Sequence, residues 1–259
     1  MTITSQEMQP GTAATPSAIL DRISLVLDAF DGSESLGLAD VVLRTGLPRS
    51  SAHRMLDRLV HLRWLRREGR SYSLGIRLVE LGSLAVHQDR IHAASSEHLH
   101  HLYRATGLVV HLAVLDGDDV VYLDKTGGRF AGLVPTRVGG RLPARQTALG
   151  KALLAFNGGD MPADARIRDL GYATERNGIL SGFGCIAAPI GPAGEATTAV
   201  SICGPLTRMT FDSRMISPVQ LTAHAIWRSV SAGVRVTPTL QRRNILRSLP
   251  TAPSVLTEG

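Results

Sequence analysis

Lysine is almost missing from this chain. Lys125 and Lys151 are the only two in 259 residues, although lysine and arginine together number 28. Cysteine is as scarce. Cys185 and Cys203 are the only pair, which excludes a disulfide framework and a four-cysteine metal site. Aromatic residues make up 4% of the chain, so the 44% hydrophobic fraction is largely aliphatic, still enough to bury real cores. No apolar run approaches the ~18 residues of a membrane helix, which excludes a membrane span of that kind. The opening MTITSQEMQPGTAATPSA has neither the basic nor the apolar region of a secretory leader. It reads as a disordered arm over 1–16, and the expected location is the cytoplasm.

What is present is arginine, unevenly placed. The net charge is +6. Residues 44–77 hold nine arginines against Asp57 and Glu68, a local +7 that leaves −1 for the rest of the chain. A compositional bias alone would spread these residues evenly. The planar guanidinium donates two parallel hydrogen bonds to phosphate, so the concentration points to a polyanion partner.

The surrounding pattern says how such a partner would be met. Ile19, Leu20, Ile23, Val26, Leu27 and Phe30 repeat at helical spacing behind a candidate cap, Ser17. DGSES (31–35) is a turn. LGLADVVLRTG gives a short second helix with Leu38, Val41 and Val42 inward, ended by Gly46. Pro48 fits the first turn of a third helix carrying Ala52, Met55, Leu56, Leu59 and Val60. LRWLRREGRSYSLG (62–75) reads as a β-hairpin around REGRS. Three helices and a hairpin make a winged helix-turn-helix over 17–76, whose third helix enters a major groove. Arg49, Ser50, Ser51, His53, Arg54 and Arg58 lie off its apolar face, at or near its start, where base edges and phosphates are read. Arg66, Arg67 and Arg70 on the hairpin are candidates for phosphate or the minor groove. The bland alternative for Ser50 and Ser51 is that they merely satisfy helix-start amides.

Residues 77–92 continue as a linker helix. Its apolar surface exceeds what a small winged helix needs, which predicts pairing with a second copy. His98 and His101 are one turn apart, but no recognised metal-ligand motif surrounds them, and no metal is expected. From 93 to 235 the pattern is α+β. LVVHLAVL (108–115) and DVVYLDKTG (119–127) form a hairpin at DGD, and RVGGRLPARQ is loop. TALGKALLAF (147–156) is a helix capped by Thr147. GCIAAPIGPAGEATTAVSICGP is a second hairpin, and a helix carrying Val219, Leu221, Ala225, Ile226 and Val230 closes the domain. A basic tail follows over 236–259.

The order of these motifs resembles the IclR family of bacterial transcription regulators. GLPRSSAHRMLDRL is similar to its recognition helix, and RSYSLGIRLVELG to its wing and linker. VVHLAVLDGDDVVYLDK, RLPARQTALGKALLAF, GCIAAPI and AVSICGP follow in the order of its effector domain. The resemblance covers about residues 17–232. It implies a DNA-binding homodimer, or a dimer of dimers, that binds double-stranded operator DNA and more often represses. It also implies a GAF-like C-terminal domain that takes an organic acid or aromatic metabolite, with no cofactor. Carried over position by position, the effector contacts are Leu142, Ala148, Leu149, Cys185, Ser201 and Cys203, with Glu175 as an acidic pocket residue. Backbone amides at Ala148 and Leu149 would face a carboxylate. Two departures stand out. Cys203 occupies a position where serine is common, and the 157–184 segment is too short for the family's full helical insertion, which predicts a reduced lid.

Other classes fare worse. Arg145 and Ala152 break the Walker A spacing around Lys151, and there is neither a GxSxG elbow nor an HExxH helix. A Cys185 nucleophile with His111 or His224 has no local support, so no catalytic residue is assigned. A purely architectural DNA binder would leave the second domain unexplained.

Overall fold

The computed structural model describes residues 19–232. The arm expected over 1–16, the Ser17 cap and the tail from 236 lie outside the described residues. The chain divides into two compact units, Met1–Gln88 and Asp89–Gly259.

In the first unit, helices α1 (Ile19–Asp28), α2 (Leu38–Thr45) and α3 (Arg49–His61) precede strands β2 (Leu65–Glu68) and β3 (Ser71–Leu74), then helix α4 (Ile76–Gln88). A two-residue strand β1 (Leu36–Gly37) pairs with β3 and makes the hairpin a three-stranded sheet in the order β1-β3-β2. The sequence pattern had placed Leu36 and Gly37 in the second helix. They are instead extended, and the Asp40 carboxylate starts the helix two residues later by accepting from the Gly37 N–H at 2.9 Å. Gly46 takes φ +67° to end α2, and the Pro48 ring sets φ −54° just before α3 rather than inside it. One core closes the unit. Val26, Phe30, Val41, Ala52, Leu56, Leu59, Leu65 and Tyr72 are all buried in it.

Helix α4 is different: none of its residues is buried. Ile76, Val79 and Leu84 are 58%, 61% and 54% exposed. The helix break expected near 87–92 falls at Asp89, whose carboxylate accepts from the His92 N–H and starts helix α5 (Arg90–Thr106). Residues 90–92 therefore belong to α5 and not to the linker helix.

In the second unit, strands β4 (Val109–Asp116), β5 (Asp119–Thr126), β6 (Arg141–Pro143), β7 (Ala173–Arg176), β8 (Phe183–Ile190) and β9 (Thr198–Pro205) form one antiparallel sheet. Its order is β6-β5-β4-β9-β8-β7. RVGGRLPARQ, expected as loop, contains β6 and a 3₁₀ turn at Ala144–Gln146, because Leu142 pairs with Val120 at the sheet edge. Strand alternation sorts the interior into two faces. Val110, Leu112, Ile186, Ala188, Val200 and Ile202 pack with α5 and helix α8 (Ser213–Ser231). Ala113, Ala187 and Ala199 pack on the other face with helix α6 (Ala148–Phe156). Of the apolar positions read on α8, Val219 and Ile226 are buried, whereas Leu221 is 67% exposed. The short 157–184 segment holds a single nine-residue helix, α7 (Pro162–Leu170), and edge strand β7.

Candidate nucleic-acid interface and effector pocket

The basic face is built on the start of α3. Pro48 at the N-cap offers no side-chain cap, and among the described residues neither Ser50 nor Ser51 accepts from the first amides of the helix. Those amides are left for an outside acceptor such as phosphate. Arg49, Ser50, His53, Arg54 and Arg58 are exposed, and Ser51 is half-buried. Among the described residues Arg49, Arg54, Arg58 and Arg70 form no salt bridge with this chain. His53 and Arg67 are otherwise engaged. Asp57 lies 3.2 Å from His53 Nδ1 and 3.8 Å from Arg67 Nη1, so one carboxylate joins α3 to the hairpin. Arg67 also donates to the Gly69 carbonyl and sits over the Tyr72 ring, while Arg66 pairs with Glu68. These exposed pairs contribute little each, of order 0.5 kcal/mol, and yield readily to phosphate.

The second unit holds a pocket of about 520 Å³ of empty space, its open mouth included. Its floor is the α6 face of the sheet, and register explains which side chains reach it. His111 pairs with Ser201, and Ser201 with Ala187. In the adjacent row Val109 pairs with Cys203, Cys203 with Cys185, and Cys185 with Glu175. Leu142 of β6 and Ala148 and Leu149 of α6 add the wall. All seven carried-over positions thus line one cavity. Thr147 caps α6 by accepting from the Gly150 N–H at 2.9 Å. Gly150 is required by close approach: a Cβ there would lie 2.2 Å from the Ala144 carbonyl oxygen. Contact with the 3₁₀ turn therefore fixes where the start of α6 stands over the floor.

The ionisable groups in the pocket are paired or held neutral. Glu175 is held by a salt bridge to Lys151, one turn into α6, so a cation already balances the pocket carboxylate. Burial, and then the Lys125 charge, depress the His111 pKa from 6.5 to about 3, leaving a neutral imidazole 2.8 Å from Thr136 Oγ1. Burial also raises the Tyr122 phenol, whose ring meets His111 edge-on at 5.1 Å. Lys125 donates to the Val134 and Thr136 carbonyls and so holds that loop over the cavity. Burial lowers its pKa.

The buried neutral His111 has a measurable consequence. Its pKa is lower folded than unfolded, so the unfolded chain binds the extra proton between about pH 6.5 and 3. Stability is complete above about pH 6.5 and should fall by up to about 1.4 kcal/mol per pH unit below it. Denaturant midpoints of wild type and His111→Gln across pH 4–8 check this. The variant should lose most of the slope, and an equal slope in both would refute the assignment.

The two halves also match known domains. Residues 19–69 match the IclR helix-turn-helix domain, and residues 83–165 match the bacterial transcriptional regulator IclR C-terminal domain. The chain is 30% identical over 199 residues to the HTH-type transcriptional regulator XynR of Escherichia coli (strain K12), across 66% of this chain and 79% of that one. The chain belongs to the IclR family of bacterial transcriptional regulators. As an IclR-family protein it is a DNA-binding transcription regulator with an effector-binding domain, not an enzyme. It is 26% identical over 254 residues to the HTH-type transcriptional repressor AllR of Salmonella typhi, across 85% of this chain and 93% of that one. It superposes on an IclR homolog from Microbacterium hydrocarbonoxydans, complexed with 4-hydroxybenzoate, with a TM-score of 0.72 at 26% identity, covering 83% of this chain and 100% of that chain.

Several residues lining the regulator's pocket were not among the expected contacts: His111, Tyr122, Thr136, Gln146 and Phe183. His111 was detectable, since it is the one polar residue in LVVHLAVL and period two puts it beside Val109 and Ala113. Thr136 and Gln146 come from irregular backbone, where no periodicity assigns a direction. His98, weighed above for metal, instead lies 3.2 Å from Ser229 Oγ. No helix among the described residues is long and apolar enough to cross a membrane.

Proposed function

We propose that this regulator binds a double-stranded operator as a homodimer, and represses until a small organic or aromatic acid enters the α6 pocket. The observation that carries the DNA half is the start of α3, where uncapped amides stand beside two arginines that form no salt bridge among the described residues. Arg49 and Arg54 divide base edges and phosphate between them, Ser50 and Ser51 hold phosphate, and His53 and Arg58 flank them. Arg66, Arg67 and Arg70 follow the backbone from the hairpin. Acting on operator DNA places the protein in the cytoplasm.

On the effector side, amides at Ala148 and Leu149 receive the carboxylate, while Leu142, Cys185, Ser201 and Cys203 surround the body of the ligand. The Lys151–Glu175 pair supports this reading, because a bare pocket carboxylate would repel an acid. The 4-hydroxybenzoate held by the Microbacterium relative belongs to the same ligand class. Helix α4, without a buried residue, is the surface a second copy covers, and two dimers can associate further.

The test starts from genomic fragments captured by the purified protein. A gel shift on the captured site, titrated with candidate acids, should show release by one chemical class. The logarithm of affinity should fall steeply with the logarithm of salt concentration, by about 0.9 per phosphate neutralised. A flat salt response would defeat the phosphate contacts. Release by no acid from the genes beside the site would defeat the effector reading.

A further inference from the structure

The two cysteines of the chain face each other. Cys185 on β8 and Cys203 on β9 are direct cross-strand partners, both unoxidised, and both line the pocket. Directly opposed antiparallel residues have Cα atoms about 4.5–5.5 Å apart, inside the range a direct S–S bond requires. A single bridging atom relaxes that requirement further. The rest of the cavity is mainly aliphatic and aromatic, with a neutral imidazole, a neutral phenol and a carboxylate already tied to Lys151. No third ligand group joins the two thiols into a metal cluster among the described residues.

We infer that Cys185 and Cys203 form a dithiol site for an uncharged trivalent arsenical. The reaction is a condensation without redox change. Arsenous acid and two thiols give one arsenic bonded to both sulfurs and to one hydroxyl, with two waters released. Each thiol proton leaves on an arsenic-bound oxygen as water. An aryl arsenic oxide reacts alike and releases one water. The hydrogen bond with Cys203, followed by burial, pushes the Cys185 thiol well above its ordinary range. This disfavours thiolate attack on peroxide, but the condensation uses protonated thiols. The site shares the effector pocket, but its test involves neither DNA nor a metabolite, so the two readings fail separately.

Full-length protein, reduced with a phosphine and freed of it, is mixed with one equivalent of phenylarsine oxide and weighed intact. Wild type should gain one arsenical per chain and lose both free thiols together. Closing the second bond within the chain is worth at least ~100-fold in apparent affinity. Cys185→Ser and Cys203→Ser should each lose that much while retaining wild-type melting. Cys185→Ala and Cys203→Ala repeat the measurement should a serine variant fail to fold. Three results would overturn the inference: no adduct on wild type, an adduct retained within ~10-fold by a folded single variant, or loss of two hydrogens without gain of arsenic.

Discussion

Arg54→Glu should lower specific operator affinity by roughly 100-fold or more, about 3 kcal/mol, without changing the melting temperature. The size follows from three features of the site. Arg54 is exposed on α3 and forms no salt bridge among the described residues, so none of them diverts its guanidinium from DNA. It lies beside uncapped amides that favour a phosphate, and a glutamate there would repel the same phosphate. Its neighbours in the core, Ala52, Leu56 and Leu59, carry the stability, and none is altered. A gel shift on the captured operator, paired with thermal unfolding, measures both quantities. Normal binding by Arg54→Glu would remove this residue from the interface. Arg54→Lys separates its two roles. A base-reading fork should lose specificity on this change, whereas a phosphate contact should be largely retained.

Gly150→Ala should destabilise the effector unit by about 3 kcal/mol, or roughly 6–12 °C in melting temperature. The added Cβ would lie 2.2 Å from the Ala144 carbonyl oxygen and 2.3 Å from Ala144 Cα. Both are backbone atoms of the buried Ala144, so no rotamer change relieves the contact. The start of α6 has to lift from the turn, moving Ala148 and Leu149 over the pocket floor. The variant should therefore lose the operator response to the effector even at temperatures where it stays folded. Wild-type melting together with a wild-type ligand response would show that the packing against Ala144 is not needed.

Much of this was legible in the chain because two periods dominate it. The 3.6-residue repeat of Ala52, Leu56 and Leu59 fixed the buried side of α3, and with it the exposure of Arg49 and Arg54. Alternation in VVHLAVL and AVSICGP put His111, Ser201 and Cys203 on one face. The limit came where alternation breaks. Between Leu112 and Ala113 the pairing with β5 shifts by one residue. That bulge sends both Tyr122 and Lys125 to the α6 face, although they stand an odd number of positions apart. Strict alternation would have placed them on opposite faces. Strand β1 was missed because two residues carry no period, and its pairing with Tyr72 and Ser71 is a long-range choice. Leu221 was overread, since apolar identity alone does not bury a side chain at the edge of a helix stripe.

The scarcity of lysine acquires a meaning once the two lysines are placed. Lys125 binds two backbone carbonyls and Lys151 binds Glu175, both around the pocket of the second unit. Every fixed cation of the first unit is arginine. Arginine keeps its charge at any cellular pH and is not a target for acyl transfer to lysine. The first unit therefore offers no lysine side chain to such a transfer. Lysine acylation could reach this regulator only through the domain that senses metabolites.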